Sequence, residues 1–102
     1  MKRQRKLKLP QAAINDFCKR WKIKEFSIFG SMLREDHGPQ SDIDVLLSFF
    51  EGAPWGLFEF ADMREELETI FGCEVDIVEK EGLKNPFRRH EILRTRKVIY
   101  AA

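Results

Sequence analysis

The run Gly30-Ser31-Met32-Leu33-Arg34, followed after a short loop by Ser41-Asp42-Ile43-Asp44-Val45-Leu46-Leu47, decides how this 102-residue chain is read. From Ile43 to Phe50 the chain is strongly apolar and reads as a β-strand. Asp42 and Asp44 stand at its start, two residues apart. Strand alternation therefore puts both carboxylates on one face, roughly 7 Å apart. Ionised carboxylates are costly to desolvate unless they are paired or metal-bound. An ordinary buried strand has no use for two of them side by side, so the pair calls for a cation.

Upstream of the pair, Glu25 to Phe29 alternate in polarity and read as a strand. It stops at Gly30-Ser31, where a short helical turn carrying Arg34 begins. Asp36-His37-Gly38-Pro39-Gln40 is a loop by its Gly-Pro punctuation, and His37 is read as a loop histidine without a catalytic role. Before these strands, Pro10 opens a helix in which Ile14, Phe17, Cys18 and Trp21 recur at helical spacing, with Lys19, Arg20 and Lys22 at the end where cations suit the dipole. After them, Gly52 to Gly56 break the chain. Leu57, Phe60, Ala61, Arg64, Leu67 and Phe71 then trace one face of a second long helix that ends at Gly72. Residues 73–79 form a third strand, Pro86 starts a third helix running to about Arg94, and Val98-Ile99-Tyr100 form a short last strand. The order implies an α+β fold, a small mixed β-sheet with helices packed against it. Trp21, Trp55 and the phenylalanines are expected in its core.

Length and composition agree with one domain. Residues 1–9 are read as a basic, flexible tail and 10–102 as a single folded unit. With 43% apolar residues, nine Phe and two Trp, the chain has the composition of a globular protein. No apolar run approaches the roughly 20 residues of a membrane span, and the basic N-terminus is followed by no apolar signal core. Cys18 and Cys73 lack metal-site spacing and read as reduced core thiols, so a cytoplasmic setting without membrane contact is expected.

The net charge of +1 hides an asymmetry. Residues 1–24 carry nine basic and one acidic side chain, residues 25–82 three basic and fifteen acidic, and residues 83–102 six basic and one acidic. An acidic middle between basic ends suits a cation site whose surroundings also attract phosphate. The Lys2–Lys8 run is read as a tail. Its other reading, contact with RNA or with an acidic partner surface, rests on charge alone, as does a nucleotide- or partner-holding role for the basic face of Pro86–Lys97.

Asp76 lies mid-strand in the third strand. If that strand neighbours the second, about 4.8 Å away, Asp76 completes a three-carboxylate cluster with Asp42 and Asp44. Hard oxygen ligands favour magnesium or manganese over zinc. Three carboxylates suffice to hold two metals about 3.5–4 Å apart for in-line attack on phosphorus. Gly30-Ser31, at a strand end opening into a helical turn, offers backbone N–H groups and a hydroxyl to triphosphate oxygens. A side chain at position 30 would hold the phosphate away from the backbone, and Arg34 adds a positive charge one turn on.

Together, Gly30-Ser31, Arg34 and Ser41-Asp42-Ile43-Asp44 resemble the signature of the DNA polymerase beta-like nucleotidyltransferases, and the short length is similar to their minimal (MNT) members. The resemblance runs from about Phe26 to Val78. It implies the polymerase beta-like core, with Gly30 and Ser31 binding triphosphate and Arg34 and Ser41 beside the nucleotide. It also implies Asp42 and Asp44 as ligands of Mg²⁺ (two ions), with Asp76 as third carboxylate and general base. Such members pair with HEPN-domain toxins and transfer AMP from ATP, including onto a tyrosine of the toxin, which silences it. Many members carry a Gly after the position of Arg34. Here Glu35 stands there, so the following loop is expected to differ in shape.

Two further functions compete with protein adenylylation. One is a binding module that neutralises a HEPN ribonuclease by contact alone, with an idle nucleotide site. Retention of all three carboxylates argues against it. The other is nucleotide transfer to a small molecule or an RNA end, for which this chain has no second domain to hold the substrate.

Overall fold

Alternation in the two long strands dictates a sheet covered on both faces. The computed structural model describes residues 9–30 and 43–102. The Lys2–Lys8 run, Ser31, Arg34, His37, Ser41 and Asp42 lie outside the described residues. The strands are β1 (Ile23–Phe29), β2 (Ile43–Phe49), β3 (Val75–Glu79) and β4 (Lys97–Ala101), in the order β3-β2-β1-β4. β2 runs parallel to β3, while β1 is antiparallel to both β2 and β4, giving a mixed sheet. The helices are α1 (Gln11–Arg20), α2 (Leu57–Phe71) and α3 (Pro86–Thr95), with a 3-10 turn at Lys80–Gly82 between β3 and α3.

Ile43, Val45 and Leu47 of β2 join Phe26 and Ile28 of β1 and Val75 of β3 in one buried cluster with Ile14, Phe17 and Cys18 of α1 and Met63 and Leu67 of α2. Leu46 and Phe29 join Leu83 and Ile92 in a second cluster, beneath α3. Because successive side chains alternate, Asp44 shares the face of Leu46, the one α3 covers. Each fully buried Leu, Ile or Phe contributes about 1.5–3 kcal/mol, against about 0–1 kcal/mol for an exposed ion pair such as Arg64–Glu68. The apolar face therefore holds α2 on the sheet, and the ion pairs trim it.

Local chemistry sets the element ends. Asn85 caps α3, its Oδ1 accepting from the N–H groups of Phe87 (2.9 Å) and Arg88 (3.1 Å), with Pro86 at the first helical position. Gly72 ends α2 in the left-handed region at φ 75°, as its position predicts. Trp55 Nε1–H donates to the Trp21 carbonyl at 2.7 Å, and the two indoles meet edge to face with centroids 5.0 Å apart. This contact closes the Gly52–Gly56 segment onto the end of α1.

The expected order of elements holds, with three differences. The buried stripe of α2 is Met63 and Leu67, flanked by Phe60, Ile70 and Phe71. Leu57, Ala61 and Arg64, placed on that stripe by spacing, are exposed, because the helix is turned so that Met63 and Leu67 face the core. Phe58 and Phe87 are likewise 83% and 85% exposed, so not every phenylalanine is core. Finally, β3 starts at Val75 rather than Cys73, because Gly72 must first turn the chain out of the helix.

Candidate active site

The starts of β2 and β3 are tied at the residue before each aspartate. The N–H of Ile43 donates to the Glu74 carbonyl at 2.9 Å. The N–H of Val75 donates to Glu68 Oε2 at 3.1 Å, an oxygen that also accepts from Arg64 Nε at 3.1 Å. The hydrogen bond from Val75, with help from Arg64, holds the Glu68 carboxyl below its usual range despite some opposing desolvation. With both strands pinned, Asp44 and Asp76 stand directly opposite one another in the parallel register. Side chains at such partner positions share a face, and the strands lie about 4.8 Å apart. The neighbouring-strand condition for bringing Asp76 to Asp44 is therefore met.

On its other side Asp44 lies opposite Phe29 of β1, and Gly30 follows at once. Gly30 has φ 79°, a left-handed conformation that L side chains rarely adopt. A Cβ built on it would lie 2.3 Å from Asp44 Oδ2 and 3.2 Å from its Cγ. Approach of a phosphate to the backbone is one reason for Gly30. The structure supplies two others: the backbone twist, and an aspartate carboxylate that fills the space a side chain would need.

Asp44 is half-buried and Asp76 exposed. Asp76 has no hydrogen bond or ion pair among the described residues, and like charges directly opposite each other in a sheet repel. An all-oxygen pair of this kind fits a hard divalent cation. Among the described residues, no group of three or more His, Cys, Asp or Glu side chains is assembled for a metal. Asp42, expected beside Asp44 in the cluster, lies outside them, as do Ser31, Arg34 and Ser41. The structure thus brings together Gly30, Asp44 and Asp76.

Two further carboxylates, Glu68 and Glu25, have structural roles that no sequence motif marks. Glu68 looks like a solvated helix acid, and its only local signal is the Arg64 one turn earlier. Its bond to Val75 depends on the turn between α2 and β3. Glu25 accepts from Lys80 Nζ at 3.3 Å and Arg96 Nε at 3.0 Å, pinning the 3-10 turn and the start of β4 to β1. Burial pushes its carboxyl up, but the hydrogen bonds and charges of Lys80 and Arg96 outweigh that and hold it below its ordinary value. Cys18, by contrast, is pushed up to about 12 by burial, which leaves it an inert thiol. No helix among the described residues is long and apolar enough to cross a membrane.

The model of the nucleotidyltransferase domain matches residues 11–99. The chain belongs to the nucleotidyltransferase domain family. Among curated relatives of this nucleotidyltransferase, the protein adenylyltransferase MntA of Thermococcus cleftensis is 35% identical over 81 residues, spanning 79% of this chain and 77% of that one. Among solved structures, one assigned by inference to a minimal nucleotidyltransferase is 33% identical, with a TM-score of 0.70 over 85% of this chain and 86% of that one. The fold also matches a chain in the complex of tri-AMPylated Shewanella oneidensis HEPN toxin with MNT antitoxin. There the TM-score is 0.63 at 14% identity, over 90% of this chain and 70% of that one.

Proposed function

We propose that this nucleotidyltransferase transfers AMP from ATP onto a hydroxyl, a tyrosine, of a partner HEPN-domain toxin in the cytoplasm, and so acts as its antitoxin. The observation that carries the reading is the opposed pair Asp44–Asp76 with the Gly30 backbone against it. Two facing carboxylates suit a cation bearing phosphate better than any role in packing. The adenylyltransferase relative supplies the transferred group, and the complex of AMPylated toxin with antitoxin supplies the class of acceptor.

Asp42, Asp44 and Asp76 are the residues that would hold Mg²⁺, which when bound neutralises triphosphate charge and orients the oxygens for in-line displacement. Gly30 and Ser31 would offer backbone N–H groups to the phosphates, and Arg34 and Ser41 would add contacts to the nucleotide. Asp76, which is exposed, takes the proton of the acceptor hydroxyl. The hydroxyl oxygen then forms the new bond to the α-phosphorus as the bond to the β-phosphate bridging oxygen breaks. Pyrophosphate leaves with that electron pair. Glu68 acts at one remove, holding the backbone from which Asp76 projects.

The test is label transfer from α-labelled ATP, with magnesium, to the HEPN-domain protein encoded beside this chain. Asp44→Asn and Asp76→Asn should each lose transfer by about a hundredfold or more while melting as wild type does. If either variant labelled the partner normally, the assignment of that aspartate would fail. If both still neutralised the toxin in full, neutralisation would be by contact and not by catalysis.

A further inference from the structure

At the end of β2 remote from Asp44, a cleft of about 390 Å³ is lined by the aromatic rings of residues 49, 50, 55 and 60, by the acids Glu51, Glu79 and Glu81, and by Lys24. Leu57 and Phe58 begin α2 directly after cleft-lining Trp55, and are 82% and 83% exposed; Phe50 is 45% exposed. Scattered surface apolar residues are ordinary, but Phe50 in the cleft lining, with Leu57 and Phe58 two and three residues after Trp55, puts three large ones in one short stretch of chain, which marks an interaction surface. One helical turn beyond Phe58 stand Asp62 and then Glu65, both exposed on the same side of α2. Glu51, Asp62, Glu65 and Glu79 make no side-chain ion pair or hydrogen bond among the described residues, and Glu51, Glu79 and Glu81 outnumber Lys24 in the cleft lining, so this surface is net negative. Such a rim repels nucleic acid and anionic membrane alike, and attracts a protein presenting apolar side chains flanked by Lys or Arg.

We infer that the surface formed by Phe50, Leu57, Phe58 and the aromatic cleft, rimmed by Glu51, Asp62 and Glu65, docks the protein acceptor through a basic, apolar segment. This rests on the reading that the acceptor is a protein. Asp44 and Phe50 are six positions apart along an extended strand, about 20 Å. A partner seated here leaves the aspartates open, and its hydroxyl reaches them from a separate segment. Docking affinity and chemical competence then reside at opposite ends of the sheet.

The experiment compares the full chain with a Leu57→Glu/Phe58→Glu double variant, using the HEPN-domain protein encoded beside it as probe. Both positions are too exposed for the change to unfold the chain, which a thermal melt checks. The dissociation constant should rise at least about tenfold, and kcat for label transfer at saturating partner should stay as in wild type. Glu51→Lys/Asp62→Lys should weaken binding in the same direction. An unchanged dissociation constant in the Leu57/Phe58 variant would overturn the inference. So would a wild-type chain that sediments as a dimer and a variant that sediments as a monomer, since the occupant would then be a second copy. A partner that binds through Leu57 and Phe58 but never accepts label would uphold the docking surface and refute adenylyl transfer instead.

Discussion

Replacing Gly30 by Ala adds one methyl group at the point where the backbone touches the candidate chemistry. Two costs follow and they are separable. Holding Ala at φ 79° costs about 1–2 kcal/mol, the usual penalty for an L side chain in the left-handed region. The new Cβ also starts 2.3 Å from Asp44 Oδ2, so the carboxylate must retreat by about 1 Å to reach ordinary contact. Displacements of about 1 Å at a reacting centre lower rates by about a hundredfold. Gly72→Ala is the matched control: its φ is 75°, but nothing lies within 4 Å of the added methyl. Both variants should therefore lose about 1–2 kcal/mol, or about 4–15 °C in Tm. Only Gly30→Ala should also lose label transfer, by about a hundredfold, when assayed well below its Tm. Urea or thermal melts give the first number and label transfer the second. Equal transfer rates in the two folded variants would show that the carboxylate position next to Gly30 is irrelevant to the reaction.

Glu25→Gln removes the charge shared by Lys80 and Arg96 and should destabilise the chain by about 1–3 kcal/mol in urea at neutral pH. Because the folded-state value of Glu25 is depressed, its contribution is full above the ordinary carboxylate range and is lost as pH falls through the folded value. The gap between wild type and Glu25→Gln should accordingly narrow in melts run at successively lower acid pH. A gap independent of pH would mean the carboxylate's charge is not what stabilises. The packing of α2 predicts that Met63→Ala costs about 2–5 kcal/mol and Leu57→Ala less than about 0.5 kcal/mol, the reverse of what the helical spacing of Leu57 suggests. Comparable urea midpoints for the two would move the buried stripe back toward Leu57.

Much of the architecture was legible because the signals were local. Period-two alternation gave the strands, Gly72 gave the end of α2, and Pro86 gave the start of α3. Asp44 and Asp76 stood out because a carboxylate on an apolar strand has few cheap explanations, and the parallel register then placed them opposite each other. What stayed hidden depends on contacts distant in sequence. The rotation of α2 about its axis is set by its packing of Met63 and Leu67 against the core, which spacing alone does not contain. The bonds of Glu68 to Val75 and of Glu25 to Arg96 need the tertiary fold before either side chain differs from a solvated acid. The reason for Gly30 was hidden in the same way, since its neighbour Asp44 lies across a strand pair.

The parallel pairing of β2 with β3 has a kinetic consequence. A parallel neighbour cannot be reached by a tight turn, so α2 and its flanking segments must be traversed before Asp76 meets Asp44. Pairings of this kind close large loops and are slow relative to hairpins such as β1–β2. The two aspartates are thus expected to meet after the β1–β2 pairing has formed. A nascent or partly melted molecule, with its hairpin already formed, still holds its two carboxylates apart. Competence for transfer then requires the β2–β3 pairing, and a chain clipped or stalled before Val75 carries half a site and no reaction.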